Sequence, residues 1–176
     1  ITNNCNIKCY MCPYSTGRSD KGRVNGGLLN ADYLLKAMSR LVPLQPKVHM
    51  SGTGEELTHP KFNEISYGMM ELGIQPRIIT NGTLIDRWKS ALNDCFAEVK
   101  VSIHGDERTH DEIVGAIGAH AKALIGLSLL VKPRKKIAFV VSEKNYRQIP
   151  AFAEFCGKEG FAVSFHHNFF PMGEKI

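Results

Sequence analysis

Features that would link a protein to a membrane or to nucleic acid are missing from this sequence. It contains no run of about 18 apolar residues, the length that a membrane-spanning helix requires. No signal peptide precedes the first cysteine. The net charge of +5 is mild, and the one short basic run, residues 132–136, is interpreted as a solvated turn before a strand. We therefore predict neither a membrane nor a nucleic-acid partner.

The cysteines are odd in number, and three of the five are too closely spaced to form a set of ordinary disulfides. Three of the five, Cys5, Cys9 and Cys12, follow the spacing C-x3-C-x2-C. Such a cluster of thiols on a short loop suits a metal centre in a reducing compartment, so we expect a cytoplasmic protein. The other two, Cys95 and Cys156, lie in helical patterns and are predicted to be small buried apolar side chains.

The residues alone leave the identity of the metal open. A structural zinc ion requires four nitrogen or sulfur ligands, and the candidates for a fourth ligand, His49, His59 and His104, come from separate predicted strand ends. Three thiolates suit an iron–sulfur cluster in which one iron is left open for a substrate or a cofactor. The spacing therefore favours an iron–sulfur cluster over zinc and over cysteines that bind no metal.

The rest of the chain alternates strands and helices, in a composition (43% hydrophobic, 22% charged) that is ordinary for a globular domain. The glycine-rich segment 13–29 is expected to be a mobile surface loop. After it, periodicity predicts strands at 47–51, 77–80, 98–103, 136–141 and 161–165. Helices are predicted from Asn30, from His59-Pro60, and over 86–94, 108–129 and 147–159. About six strand–helix repeats predict a parallel sheet with right-handed crossovers.

Small or polar residues stand at the carboxyl end of each predicted strand. Examples are Gly52-Thr53-Gly54-Glu55, Thr80-Asn81-Gly82, Ser102 with His104, and Ser142. In parallel sheets and barrels the chemistry lies at this edge, because loops there vary without disturbing the core. The cysteine loop would follow the first strand and reach the same edge, so the sequence predicts one site built from several strand ends.

The cysteine triplet also carries a family resemblance. In its setting, Ile1-Thr2-x-x-Cys-Asn-x-x-Cys-x-Met-Cys-Pro, it resembles the signature of the radical S-adenosylmethionine (SAM) enzymes. Four later segments resemble further motifs of that family in the same order, and the resemblance covers nearly the whole chain. They are the Gly-x-Gly-Glu stretch at Gly52–Phe62, Ile79–Gly82, Val101–Gly105 and Phe170–Gly173.

This resemblance implies a fold and a chemistry. The fold would be α/β, a partial (β/α)6 TIM-like barrel with a parallel sheet and the cluster loop after the first strand. The chemistry would be that of a [4Fe-4S] cluster that reductively cleaves SAM to a 5′-deoxyadenosyl radical, which abstracts hydrogen from a substrate. The electron donor would be a flavodoxin or a ferredoxin. We expect residues 1–176 to be one radical SAM core domain within a longer chain, without the start of its first strand or a C-terminal auxiliary domain.

The resemblance also implies roles for individual residues. Cys5, Cys9 and Cys12 correspond to the cluster ligands, and Met11 to an apolar residue near the adenine. The remaining expected SAM contacts are Gly54 and Glu55 at the ammonium group, Ser102 at the ribose or carboxylate, Phe170 at the adenine edge, and Thr80 and Asn81 at SAM or substrate.

Some of these positions have simpler interpretations. A side chain at Gly54 would block the approach of SAM, but the glycine could equally serve a turn. Thr80 and Asn81 could equally cap a loop. The sequence also departs from the usual Gly-Gly-Glu-Pro of the family, since it has Thr53-Gly54-Glu55-Glu56, with the Gly and Glu that make the contacts retained.

Three functional hypotheses follow. The Cys-Pro after the triplet and the closing Pro-Met-Gly resemble members of the SPASM kind, which modify peptides or proteins, so a peptide substrate is expected first. An alternative is a cofactor-biosynthesis enzyme acting on a nucleotide or another small molecule, for which the positive charge would suit phosphates. The third is a non-catalytic metal or iron–sulfur binding module.

Overall fold

Residues 1–14 and 27–167 are described by the computed structural model. Five strands form one sheet in the order β1-β2-β3-β4-β5, and every neighbouring pair is parallel. The strands are β1 His49–Met50, β2 Arg77–Thr80, β3 Glu98–Ser102, β4 Arg134–Val141 and β5 Ala162–His167. The α/β class and the parallel sheet of a partial TIM-like barrel are confirmed.

Helices connect successive strands, as parallel pairing of sequence neighbours requires. They are α1 Ala31–Leu41, α2 Phe62–Glu71, α3 Ile85–Cys95, α4 Glu107–Val114, α5 Ala119–Leu129 and α6 Ile149–Lys158, with short 3-10 helices at Val42–Leu44, Glu56–Thr58 and Tyr146–Gln148. The first helix begins where the sequence predicts it, because the Asn30 side chain accepts a hydrogen bond of 2.9 Å from Tyr33 N. The second begins at Phe62 rather than at His59-Pro60, whose residues follow a 3-10 turn instead.

The single helix predicted over 108–129 is wrong. It is two helices, α4 and α5, bent by 105°. Gly115 and Gly118 both take left-handed φ angles, of 67° and 77°, and so break the helix. The bend makes room for the cysteine segment, since a Cβ at Gly115 would lie 2.9 Å from Lys8 O. Within the described residues no single helix is long and apolar enough to cross a membrane; only the bent pair reaches that length and composition.

One further expectation, the extent of the loop before α1, needs correction. Residues 27–29, predicted as part of a mobile loop, are bonded to the start of the chain: Asn3 N donates to Gly27 O and Leu29 N to Ile1 O, each at 2.9 Å. A strand before the cysteines is represented in the described residues only by an isolated antiparallel bridge between Thr2 and Leu28. The cysteine segment is therefore held at its base by backbone hydrogen bonds.

The core lies between the sheet and its helices. Phe62 packs against Trp88 and Phe96 with ring centroids 5.5 and 5.7 Å apart, and Cys95 and Cys156 are buried in the same cluster, as predicted. Alternation along β2 sends Ile78 into this core and leaves Ile79 on the opposite face, 41% exposed. Ile79 lines a cavity on that opposite face.

Candidate functional site

A cavity of about 330 Å³ lies at the carboxyl ends of β1 to β4, beneath the cysteine segment. Its lining includes every predicted site residue in the described part of the chain: Cys5, Cys9, Met11, Cys12, Gly54, Glu55, Thr80, Asn81 and Ser102. Phe170 lies outside the described residues. Residues that are distant in the sequence therefore lie together, because the carboxyl ends of parallel strands meet at one edge of the sheet.

The cysteine segment rests on α4. Ile7 is buried against Ile113 and Val114, and Tyr10 N donates a hydrogen bond of 3.0 Å to Ile113 O. The thiols of Cys5, Cys9 and Cys12 are half-buried, and no disulfide joins them. The segment therefore presents three thiols to the cavity from a fixed backbone.

The arrangement of donors distinguishes between kinds of metal centre. Among the described residues, no three His, Cys, Asp or Glu side chains are placed to hold a single metal ion. The three thiols instead border a shared space. Ligands of a [4Fe-4S] cluster bind separate irons and so surround a group several ångströms across. The donor set fits such a cluster with one iron left without a thiolate.

A side-chain clamp joins the cysteine segment to the end of β2. Asn6 Oδ1 accepts a hydrogen bond of 2.9 Å from Asn81 Nδ2, and Asn6 Nδ2 donates one of 2.8 Å to Thr83 Oγ1. Thr83 Oγ1 and N in turn donate to Asn81 Oδ1, at 2.6 and 3.0 Å. No role was predicted for Asn6 from the sequence, although its position between two candidate ligands was a usable signal.

Glu55 is 3% exposed, and its carboxylate accepts three hydrogen bonds from the chain itself. Oε1 accepts hydrogen bonds from Thr80 Oγ1 (2.6 Å) and Leu57 N (3.2 Å), and Oε2 accepts one from Asn81 N (2.7 Å). Burial raises the pKa of Glu55 from 4.5 to about 7, although these hydrogen bonds act in the opposite direction. The site thus contains a carboxyl group whose charge is poised near neutral pH.

Gly54 is required by the protein's own backbone. A Cβ at this position would lie 2.5 Å from both Thr2 O and Asn4 O, far inside van der Waals contact. The neighbouring Glu55 N donates a hydrogen bond of 2.7 Å to the same Asn4 O. Glycine was expected here to leave room for a bound molecule. The structure adds a second reason, the close approach of the chain's own backbone.

The two departures from the usual family pattern contact the residues before the cysteines. Thr53 Oγ1 donates a hydrogen bond of 2.8 Å to Asn3 Oδ1. Glu56, 1% exposed, accepts one of 2.5 Å from Ile1 N. Both side chains therefore fasten the loop after β1 to the start of the chain.

Thr80 and Asn81 also cap the loop after β2, as their simpler interpretation predicted. Gly82 N donates to Thr80 Oγ1 and Thr83 N donates to Asn81 Oδ1, each at 3.0 Å. Both residues nevertheless line the cavity. His104 lines it as well, whereas His49 is exposed and His59 bonds to Leu29 O. From the sequence, His104 was predicted at the edge of the strand ends and as a candidate zinc ligand, with no role at SAM.

Comparison with known proteins identifies the family. The model of the Radical SAM superfamily matches residues 1–156. An AdoMet-dependent heme synthase from Methanosarcina barkeri is 28% identical over 174 residues, covering 94% of this chain and 48% of the relative. A probable GTP 3′,8-cyclase from Methanococcus maripaludis is 28% identical over 187 residues, covering 100% and 59%. The chain therefore spans about half the length of the curated relatives it matches.

Solved structures agree on the fold. SuiB of Streptococcus suis, bound to S-adenosylmethionine, superposes with a TM-score of 0.76 at 19% identity, covering 99% of this chain and 40% of that one. The protein anSMEcpe with bound AdoMet superposes with a TM-score of 0.77 at 21% identity, covering 98% and 49%. With a family match over most of its length and a cysteine-lined cavity at the strand ends, the chain belongs to the radical SAM superfamily, whose enzymes use a [4Fe-4S] cluster and SAM.

Proposed function

We propose that the chain is the catalytic core of a radical SAM enzyme, with Cys5, Cys9 and Cys12 as the ligands of a [4Fe-4S] cluster. The observation that carries the proposal is the single cavity that joins these thiols to Gly54, Glu55 and Ser102. When bound and reduced, the cluster and SAM supply a 5′-deoxyadenosyl radical that abstracts hydrogen from the substrate. A structural or electron-transfer metal module would not need the strand-end residues that line this cavity opposite the thiols.

The protein's part is to bind and orient SAM and to exclude water. Gly54 O and the Glu55 carboxylate would attract the ammonium group, since both are hydrogen-bond acceptors at the cavity wall. Met11 would cover the adenine from the cysteine segment, and Ser102 would donate to the ribose or the carboxylate. Phe170, outside the described residues, would complete the adenine pocket. Thr80 and Asn81 would hold Glu55 in place and border the bound molecule.

The substrate class rests on weaker support. A peptide or protein substrate is our first candidate, because SuiB has been solved with its precursor peptide SuiA and anSMEcpe with the Kp18Cys peptide. A small-molecule substrate in cofactor biosynthesis is the second, since the curated relatives include a heme synthase and a GTP cyclase at 28% identity. The donor of the electron would be a flavodoxin or a ferredoxin, and the location cytoplasmic. The chain would be the core of a longer protein.

Anaerobic reconstitution tests the proposal. We expect about four irons and four sulfides per chain, as one cubane cluster requires, and formation of 5′-deoxyadenosine when SAM and a strong reductant are added. Cys12→Ala should lose most of the iron. Cys95→Ala, which removes a thiol buried in α3 away from the cavity, is the matched control and should keep it. Zinc without iron, or iron without SAM cleavage, would contradict the proposal.

A further inference from the structure

The side chain of His104 forms part of the cavity wall and has no assigned role. It is 3% exposed and lines the cavity beside Ser102 and Val140. Its Nδ1 accepts a hydrogen bond of 3.2 Å from Val140 N. A ring nitrogen that accepts a hydrogen bond carries no proton, so the neutral imidazole carries its proton on Nε2.

The imidazole is fixed in position by contacts from three other elements. His104 N donates to Nδ1 of His110, on α4, at 3.1 Å, and the two rings stack with centroids 5.6 Å apart. Phe139, on β4, meets the ring edge-on at 6.4 Å. Asn145 Nδ2 donates to His104 O at 2.9 Å and to Val140 O at 2.8 Å, so it joins the ends of β3 and β4. The direction of Nε2 is therefore set before any ligand binds.

The charge of His104 is set by the same surroundings. Burial, with a smaller contribution from His110, lowers the pKa of His104 to about 3. His110 is itself held neutral, since burial and His120 lower its pKa to about 4. The nearest carboxyl group of the cavity wall, Glu55, belongs to the loop after β1. His104 is therefore a neutral N–H donor throughout the physiological pH range.

The three neighbouring histidines His104, His110 and His120 do not form a proton relay, because their hydrogen bonds exclude one. Nδ1 of His104 and Nδ1 of His110 are both occupied as acceptors of backbone N–H groups. A relay through an imidazole needs both nitrogens free to exchange a proton. The three histidines therefore fix geometry and do not carry protons.

Within residues 1–14 and 27–167, no hydrogen bond reaches His104 Nε2 from the protein. Among the described residues, the buried side-chain atoms without a partner are Tyr10 Oη and Glu56 Oε1, and His104 Nε2 is not one of them. Nε2 is therefore accessible from the cavity, where a bound molecule can accept its hydrogen bond. The cavity volume of about 330 Å³ lies within the range for small-molecule sites.

We propose that His104 Nε2–H donates a hydrogen bond to an oxygen of SAM, as a fixed neutral donor on the wall formed by β3 and β4. This inference rests on the proposed function, since it assumes that SAM occupies the cavity. It identifies a binding residue that acts by donation alone, with no part in proton transfer. An acceptor oxygen of SAM is favoured over a positively charged group, which a fixed N–H would repel.

Two substitutions of His104 separate donation from structural support. In His104→Asn, Oδ1 replaces Nδ1 as the acceptor for Val140 N, and the donor at Nε2 is lost. In His104→Gln, Nε2 of the amide stands where the imidazole Nε2–H was, and the support of Val140 is weakened. His120→Gln, at a ring that packs on His110 outside the cavity lining, is the control.

Calorimetric titration of SAM into the reconstituted, unreduced full protein measures the SAM affinity of each variant. We expect His104→Asn to weaken SAM binding about tenfold, as loss of one hydrogen bond does, and His104→Gln and His120→Gln to bind within about twofold of wild type. The ratio of wild-type to His104→Asn affinity should stay constant from pH 6 to pH 8. Weaker binding by Gln than by Asn, equal binding by all variants, or a ratio that falls with pH would overturn the inference. Failure of the wild-type protein to bind SAM would instead overturn the proposed function itself.

Discussion

Glu55 Oε2 accepts a hydrogen bond of 2.7 Å from Asn81 N, and this contact joins the loop after β1 to the end of β2. Asn81 in turn bonds through its side chain to Asn6 in the cysteine segment. A chain of three residues therefore connects a buried carboxylate to the loop that carries the thiols. Several measurable consequences follow from this connection.

Glu55 should make stability depend on pH. Its pKa in the folded protein, about 7, is raised above the ordinary 4.5 mainly by burial, with a small contribution from the charge of Glu56. Its stabilising contribution is therefore fully present below about pH 4.5 and is lost as the pH rises through 7. Relative to Glu55→Gln, the wild type should lose up to roughly 1.4 kcal/mol per pH unit across that window. Urea unfolding of the metal-free protein at pH 5, 6, 7 and 8 measures this difference, and parallel curves would contradict it.

Gly54→Ala should disturb the cysteine segment as well as the fold. The added methyl would collide with two backbone carbonyls, Thr2 O and Asn4 O, which cannot move without shifting Cys5. We expect a loss of roughly 2 kcal/mol or more of stability, in the range of overpacking, together with reduced iron content. Gly157→Ala is the control, because a Cβ there meets nothing within 4 Å and alanine suits the helix. It should stabilise the protein by about 0.5–1 kcal/mol and leave iron unchanged.

Asn6→Ala should weaken retention of the cluster without unfolding the domain. The substitution removes both hydrogen bonds of the clamp, to Asn81 and Thr83, from an exposed side chain. The cysteine segment then loses its attachment to β2, and iron should leave faster in the presence of a chelator. Asn6→Asp, which keeps the acceptor for Asn81 and loses the donor to Thr83, should be intermediate. Equal rates of iron loss in all three proteins would show that the clamp has no part in holding the metal.

Glu98 should act on stability with the opposite pH dependence to Glu55. Burial alone would raise the pKa of Glu98, but hydrogen bonds from Arg134 and Lys136 outweigh it and lower the pKa overall. Its contribution is therefore present above about pH 4.5 and is lost as the pH falls through the lowered value. Glu98→Gln should cost on the order of 1 kcal/mol at pH 7, as measured by urea unfolding. Glu154→Gln, in an exposed pair with Lys158, should cost almost nothing.

The sequence predicted the members of the site better than their contacts. Strand alternation and the position of polar residues at strand ends were enough to predict that Ser102 and Thr80 lie near the cysteines. Both signals follow from backbone periodicity. The partners of Glu55, Asn6 and His104 could not be predicted, since each is set by how separate loops meet. The break between α4 and α5 was missed for a related reason. Glycine permits a continued helix or a left-handed turn, and the left-handed φ of Gly115 is known only from the structure, where the residue lies too close to Lys8 O for a Cβ.

The hydrogen bond from Tyr10 N to Ile113 O also bears on the order in which the protein is made. The sheet pairs strands that are neighbours in sequence, so each strand–helix–strand unit can form soon after it leaves the ribosome. The cysteine segment is synthesised before α4 but cannot pack against it until α4 has formed. We therefore expect maturation with iron to follow the folding of most of the domain, and chains that stop before α4 to retain no cluster in a pull-down for bound iron.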